Sequence, residues 1–429
     1  MVLDELVQES DPRSSESSSH FLDKTGTNRW ENQKLGDIID LVYGSGLSKE
    51  VRTPGGYPVY GSNGIVGYHE KSLVEGPGII VGRKGSIGKV IWCNEDFWPI
   101  DTTYYIERKT HLDLKWIYYK LLSLNLEKLN SATGIPGLNR CDVFSLNVKV
   151  PTILEQRKIA AILSSVDAAI EDTVAIISKL KEIKSNLFSD LISRGIDENG
   201  MLRDPIVHPE QFKKVLSFGL IPVEWSAPSI GSIAVHVGSG ITPKGGSKVY
   251  KNEGVVFIRS QNVTFDGLLL DGVAHIDFEM HKEMKRSEVF AYDVLLNITG
   301  ASIGRCCPLP EGVAPANVNQ HVCAIRLPDP SREDAILLSS ILASNIGQSQ
   351  IDRFNAGGNR EGLNYEQLRS FIIPWPSQKE RRRIALVIDS QNARIRVEEE
   401  YLDKLKRLKN GLMQDLLTGR VPVKVDGHA

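Results

Sequence analysis

The chain has 429 residues, 41% of them hydrophobic, and a formal net charge of −2; it is too long for one ordinary core, so two to four folding units are expected. No run approaches the roughly 18 uncharged apolar residues that a membrane span requires. The start MVLDELVQES also lacks the basic-then-apolar order of a signal peptide, so a soluble, cytoplasmic protein is expected. The charge balance excludes a chain that is basic throughout, and any surface for an anionic polymer must arise from clustering in space.

In chain order, residues 1–27 include the serine-rich stretch SDPRSSESSSH, which has nothing to bury and is expected to be mobile. A first globular region spans 28–150. Its β-branched runs at 78–81, 89–92 and 103–106, bounded by Gly, Pro, Asn or Asp, read as strands, and 112–126 reads as a helix. Residues 151–200 form a first long helix and a linker. A second globular region, 201–375, has strand-like runs at 255–258, 294–296 and 322–325 and a helical run at 333–345. A second long helix covers 376–423, and 424–429 are a tail.

Internal repetition decides the architecture. The stretch from Pro151, PTILEQRKIAAIL, matches that from Pro376, PSQKERRRIALVI, at an offset of 225, pairing Glu155 with Glu380 and Ile159 with Ile384. Gly-Leu-Asn at 137–139 recurs at 362–364 with the same offset. Further upstream the offset shortens: Ser86-Ile87-Gly88-Lys89 pairs with Ser302-Ile303-Gly304-Arg305, Gly44-Ser45-Gly46 with Gly238-Ser239-Gly240, and Trp30 with Trp225. One unit, a globular region followed by a helix, is therefore written twice.

Both helices carry heptad seams. The first runs through Ile159, Leu163, Val166, Ile170, Ile177, Leu180, Leu187 and Leu191, and the second through Ile384, Ile388, Ile395, Leu402, Leu405, Leu412 and Leu416. Lys184 and Lys409 interrupt them at matching positions, where the apolar stripe is expected to continue through Ile183 and Leu408. Two such stripes are most simply buried against each other. The expected fold class is α+β: two mixed α/β recognition domains in a pseudo-two-fold arrangement, separated by an antiparallel coiled coil. At about 1.5 Å per residue the helices make a rod of roughly 50–60 Å.

Several chemistries are missing. Residues 82–89, GRKGSIGK, have five residues between the outer glycines where a nucleotide loop has four, and Val90 stands where a hydroxyl would hold magnesium. Asp101, Asp113 and Lys115 mimic a nuclease cluster only weakly, and no Asn/Asp-Pro-Pro-aromatic motif of a base methyltransferase occurs. The five cysteines contain no CxxC spacing, so neither a zinc site nor a disulfide framework is expected.

The motif opening at Pro151, with Glu155-Gln156-Arg157-Lys158-Ile159-Ala160 and Leu163, the segment YGSNGIVGY at 60–68 and the loop GRKGSIG at 82–88 together resemble the specificity subunits of type I restriction-modification systems. The resemblance covers about residues 28–423, and Arg381 departs from it where the first repeat has Gln156. It implies a non-catalytic subunit that binds double-stranded DNA with a bipartite target, each globular half reading one half-site. It further implies methyltransferase (M) subunits that use S-adenosylmethionine, restriction/translocase (R) subunits that use ATP and Mg, and helices that set the spacer and dock the methyltransferases. No cofactor is then expected on this chain itself.

Residue type and loop position nominate the contacts. Arg83, Lys84 and Lys89, with Lys244 and Arg305, suit phosphates, while Gly85, Gly88 and Ser86 form a loop that a backbone can approach. Asn63, Asn139, Arg259, Gln261, Asn262, Asn319, Gln320, Asn359 and Arg360 suit base edges. The competing expectation is a scaffold that carries two β-rich binding modules for proteins or glycans on a coiled-coil rod; a stand-alone nuclease or methyltransferase lacks its motifs.

Overall fold

The repeat in the sequence is a repeat of strand order. The computed structural model describes residues 30–129, 137–355 and 362–425. The chain divides into two compact units: Met1–Thr173 with Tyr401–Ala429, and Val174–Glu400. The expectations for residues 10–20 and for Asn359 and Arg360 lie outside the described residues, as does most of the tail.

In unit one, four antiparallel strands stand in the order Ile39–Tyr43, Thr103–Arg108, Gly78–Gly82, Val90–Cys93. In unit two the order is His236–Ser239, Val322–Arg326, Val294–Asn297, Cys306–Pro308. In both sheets the strand latest in sequence lies beside the earliest, and a hairpin completes the sheet. Each unit adds a second sheet containing a parallel pair, Val59 and Tyr60 against Trp98 and Pro99 in the first, and Val256–Ile258 against Ala316–Val318 in the second. The β-branched runs read from the sequence supply these strands, and the mixed α+β class holds.

The helix expected at 112–126 runs over Leu114–Ser123, capped by the Asp113 side chain, which accepts from the Trp116 amide. The one expected at 333–345 is Arg332–Ala343, capped by Ser331. The long helices are Ile153–Arg194 and Gln378–Leu416, of 42 and 39 residues. Within unit one, Ile159 and Leu163 share a core with Leu416 and Leu417, and Asp167 pairs with Lys409 at 2.6 Å. Within unit two, Leu191 and Ile196 share a core with Ile384 and Ile388, and Lys181 pairs with Glu399 at 2.8 Å. In each unit the helices therefore run antiparallel.

Most seam residues are buried, with Ile170, Leu187, Leu402 and Leu412 half-buried. The expected detour around the seam lysines is corrected: Ile183 and Leu408 are exposed, and Lys184 and Lys409 stay on the stripe as half-buried side chains. A lysine stem covers apolar surface while its head finds a partner, here Asp167 for Lys409. Gln156 and Arg381 also do comparable work with different chemistry. The Gln156 amide donates to the Pro151 carbonyl and accepts from the Asp113 amide at the start of the neighbouring helix. Arg381 donates to the Pro376 carbonyl and to the Asp334 carboxylate in the first turn of its neighbouring helix.

Lys120 has the opposite environment. It is buried in unit one, and its ammonium donates to the Leu417 carbonyl at 2.8 Å. Burial, and then the nearby Lys149, pull its pKa down to about 8. The folded unit holds this proton less tightly than the unfolded chain, whose lysines titrate near about 10.4, so stability from this group rises with pH between the two values. Buried Tyr119, whose hydroxyl burial pushes up, acts in the opposite direction above about pH 10. Urea denaturation of the wild type and of Lys120→Met is therefore expected to give curves that diverge in favour of the wild type from about pH 8 to about 9.5. Parallel curves would contradict a desolvated Lys120.

Candidate nucleic-acid interface

The glycine-rich loop of unit one hangs from the central sheet and is closed by its own backbone: Gly82 donates to the Lys89 carbonyl and Gly88 to the Gly82 carbonyl, each at 2.8 Å. Gly88 has φ +70°, and a Cβ there would lie 2.3 Å from the Glu127 amide nitrogen. That corrects the expected use of this glycine, which lets the loop pack on its own protein and not on a ligand. The Leu138 amide donates to the Arg83 carbonyl at 2.9 Å, and Lys84 bridges to Gly137. The two repeated motifs, 82–88 and 137–139, are thus adjacent.

This adjacency builds a cavity of about 650 Å³ lined by Tyr43, Arg83, Lys84, Tyr104, Asn139, Arg140 and Cys141, among others. Arg83 is held by a hydrogen bond to the Asp101 carbonyl at 2.8 Å, and its guanidinium lies 4.9 Å from the Tyr43 ring. The Arg140 guanidinium lies 5.4 Å from the same ring and pairs with Asp40 at 2.7 Å. Two guanidiniums therefore flank one half-exposed tyrosine, a cation–π arrangement that holds positive charge on a preformed aromatic surface. Tyr104 donates to the Leu138 carbonyl, and burial followed by its bond with Tyr43 pushes its hydroxyl up to about 12, so it stays a donor.

A second cluster joins Lys89 to the turn of the 60–68 segment, where its ammonium donates to the Asn63 carbonyl and side-chain oxygens, both at 2.8 Å. Ser86 donates its amide to Ser62 Oγ at 3.4 Å, beside the exposed Gly85. Asn139 caps the short helix Arg140–Phe144 by accepting from the Cys141 amide. Its amide nitrogen stays on an exposed residue.

Unit two repeats the frame with other side chains. Leu363 donates to the Ile298 carbonyl at 2.8 Å, Thr299 bridges to Gly362, Asn297 donates to Arg305 and Gly304 to Asn297. Asn297 takes the place of Gly82 in this closure and is fully buried, its amide donating to the Ser260 carbonyl and Ser302 Oγ. Lys244, Gln261, Arg305 and Gln320 are exposed. Asn262 is 1% exposed, accepting from the Arg259 amide and donating to the Leu269 carbonyl. It is a turn residue, and its nomination as a base reader is withdrawn. Asn319 is also buried and accepts from the His321 amide, so it shapes the turn and does not face outward. Arg259 sits over Tyr250 at 5.3 Å.

Sequence reasoning missed Tyr43, Arg140 and Asp40 in unit one and Thr242, Thr299 and His321 in unit two. A signal for two of them was present: Tyr43 immediately precedes the repeated Gly-Ser-Gly, and Arg140 immediately follows the repeated Gly-Leu-Asn. Among the described residues no helix is long and apolar enough to cross a membrane, and no group of three or more His, Cys, Asp or Glu side chains is placed to hold a metal ion.

The comparisons with known proteins agree with this duplication. The family model for the type I restriction modification DNA specificity domain matches residues 27–182 and again 222–407. The chain is 22% identical over 412 residues to the type I restriction enzyme MjaVIII specificity subunit of Methanocaldococcus jannaschii, covering 92% of this chain and 93% of that one. It is 23% identical to the EcoBI specificity subunit of Escherichia coli, covering 79% and 72%. In fold it is similar to the S subunit of a type I restriction-modification system from M. genitalium, with a TM-score of 0.58 at 19% identity, over 90% of this chain and 96% of that chain. With one family's domain matched twice, over the two halves of the repeat, the chain belongs to the type I restriction-modification DNA specificity family.

Proposed function

We propose that this chain is the non-catalytic, sequence-reading subunit of a multisubunit DNA methyltransferase and endonuclease, and that each of its units engages one half of a bipartite target in double-stranded DNA. The observation that carries this reading is the loop frame built twice: 82–88 held against 137–139, and 299–304 against 362–364, by matching backbone hydrogen bonds. The frames are alike while the side chains they present differ. That is the arrangement expected of two readers of two different half-sites. The long helices set the separation between half-sites and dock the methyltransferase subunits. S-adenosylmethionine, ATP and Mg belong to the methyltransferase and translocase partners.

The test is an exchange of residues 28–150 for the corresponding domain of another family member, followed by mapping of methylated positions in cells that also carry the methyltransferase subunit. One half of the modified sequence is expected to change while the other half and the spacer stay as they were. If both halves changed, or neither, the modular reading would be wrong.

A further inference from the structure

Gln320 is an exposed residue on a backbone that cannot move freely. It sits in the turn between the strands Ala316–Val318 and Val322–Arg326. On one side, the Asn319 amide donates to the Ile258 carbonyl and the Asn319 carbonyl accepts from the Gly240 amide. On the other, the His321 carbonyl accepts from the Ile298 amide at 3.0 Å and the His321 amide donates to the buried Asn319 side chain. The turn is pinned on both flanks, so the direction in which Gln320 projects is fixed by the fold.

Its carboxamide is oriented as well. Thr242 Oγ1 donates to Gln320 Oε1, and Gln320 Nε2 lies 3.1 Å from His321 Nε2. An amide nitrogen can only donate, so in this orientation of the carboxamide His321 Nε2 accepts and the ring donates from Nδ1. That proton has a receiver in Thr299 Oγ1. The chain Thr242, Gln320, His321, Thr299 leaves no member unpaired with the carboxamide oxygen toward Thr242 and its nitrogen toward His321, and the reverse direction satisfies the same groups because the hydroxyls and the imidazole can each donate or accept. A carboxamide has two N–H donors and two lone pairs. One of each is taken by these neighbours, and one donor and one acceptor remain. That remaining pair complements the N7 acceptor and N6 donor that adenine shows in the major groove.

We propose that Gln320 reads an A·T pair in the half-site engaged by unit two, and that Thr242, His321 and Thr299 are positioning residues that hold its carboxamide in place with one donor and one acceptor free. The proposal rests on the reading of the chain as a DNA specificity subunit. It adds the residue, the base and the mechanism of orientation.

The experiment uses the full chain reconstituted with its methyltransferase subunits on a library of duplexes randomised across the target, with preference read at every base pair. Gln320→Glu and Gln320→Ala are expected to lower the preference for adenine at one position of one half-site by about 5- to 150-fold, leaving the other positions unchanged. Thr299→Val is expected to weaken the same position by a smaller factor, and Thr299→Ser, which keeps the hydroxyl, to restore it. A purely structural role would not produce that position-specific rescue. An unchanged profile in the Gln320 variants, an even loss over all positions, or a lost preference at a base other than adenine overturns the reading role of Gln320. A wild-type profile in Thr299→Val overturns the positioning role. A wild-type complex with no sequence preference at all would instead overturn the parent reading, a result distinct from a preference that the Gln320 variants leave intact.

Discussion

Replacing Glu380 by alanine is expected to lower the stability of the Val174–Glu400 unit by about 3–5 kcal/mol; Glu155 stands at the matching position of the first repeat. The sequence makes the two residues equivalent, and both are buried. Glu380 accepts from Arg203 at 2.6 Å, from the indole of Trp225 at 2.9 Å and from the Ile196 amide at 2.8 Å. Arg203 is itself nearly buried, and its other carboxylate neighbour, the exposed Glu224, stands 3.5 Å away. Truncation strands a cation, an indole N–H and a backbone N–H in a low-dielectric pocket. Glu155 accepts from Trp30 at 3.2 Å and from the Thr152 amide and hydroxyl in a reciprocal helix cap. Hydrogen exchange at Ile196 and at Thr152 separates the two units, which a single global melting curve does not. Glu380→Gln, which keeps an acceptor, falls between wild type and Glu380→Ala; a Glu380→Ala variant as stable as the wild type would contradict the buried ion pair.

The same comparison shows how much was legible beforehand and why. The long helices and their apolar seams follow from local periodicity, because steps of three and four place Ile159 or Ile384 on a seam whatever the rest of the chain does, while the antiparallel direction rests on long-range contacts such as Asp167 with Lys409. The pairing of Trp30 with Glu155 and of Trp225 with Glu380 was visible as two conserved offsets within one chain, but not as a contact, since nothing in the spacing says which repeated residues touch. The cavity of unit one was half legible. Arg83, Lys84 and Asn139 announced themselves by loop position. Tyr43, Arg140 and Asp40 join them only because the sheet order brings the strand Ile39–Tyr43 beside Thr103–Arg108, a long-range fact. Asn262 was misread for the complementary reason: a buried turn asparagine and an exposed base-reading one have the same letter, and only burial distinguishes them. Net charge misled in the same way, because a chain-wide sum of −2 hides three cations that line one cavity.

Those cations carry the last prediction. Each lysine or arginine that neutralises a phosphate contributes about 0.9 to the slope of log affinity against log salt on duplex DNA. With Arg83, Lys84 and Arg140 lining one cavity, the triple variant Arg83→Ala, Lys84→Ala, Arg140→Ala is expected to flatten that slope by about 2.7 in the reconstituted complex. The loop of unit two offers Arg305 where unit one has Lys89, and Thr299 to Ser302 carry no charge, so Arg305→Ala is expected to flatten the slope by only about 0.9. Asp40 separates this account from a simple loss of fold. It pairs with Arg140 at the edge of the cavity, so Asp40→Asn frees that guanidinium and is expected to tighten DNA binding at low salt, while Arg140→Ala alone leaves an uncompensated carboxylate facing the phosphates. Occupancy can be followed on the native protein, because all five cysteines are free and Cys141, in the cavity wall, is the exposed one. The other thiols are buried, with Cys307 and Cys323 pushed up to about 12 by burial. A neutral maleimide is therefore expected to modify one thiol per chain, with bound target DNA slowing the reaction and 1 M salt restoring it. A slope unchanged in the triple variant, together with undiminished labelling in the complex, would place the DNA backbone on another face of the unit.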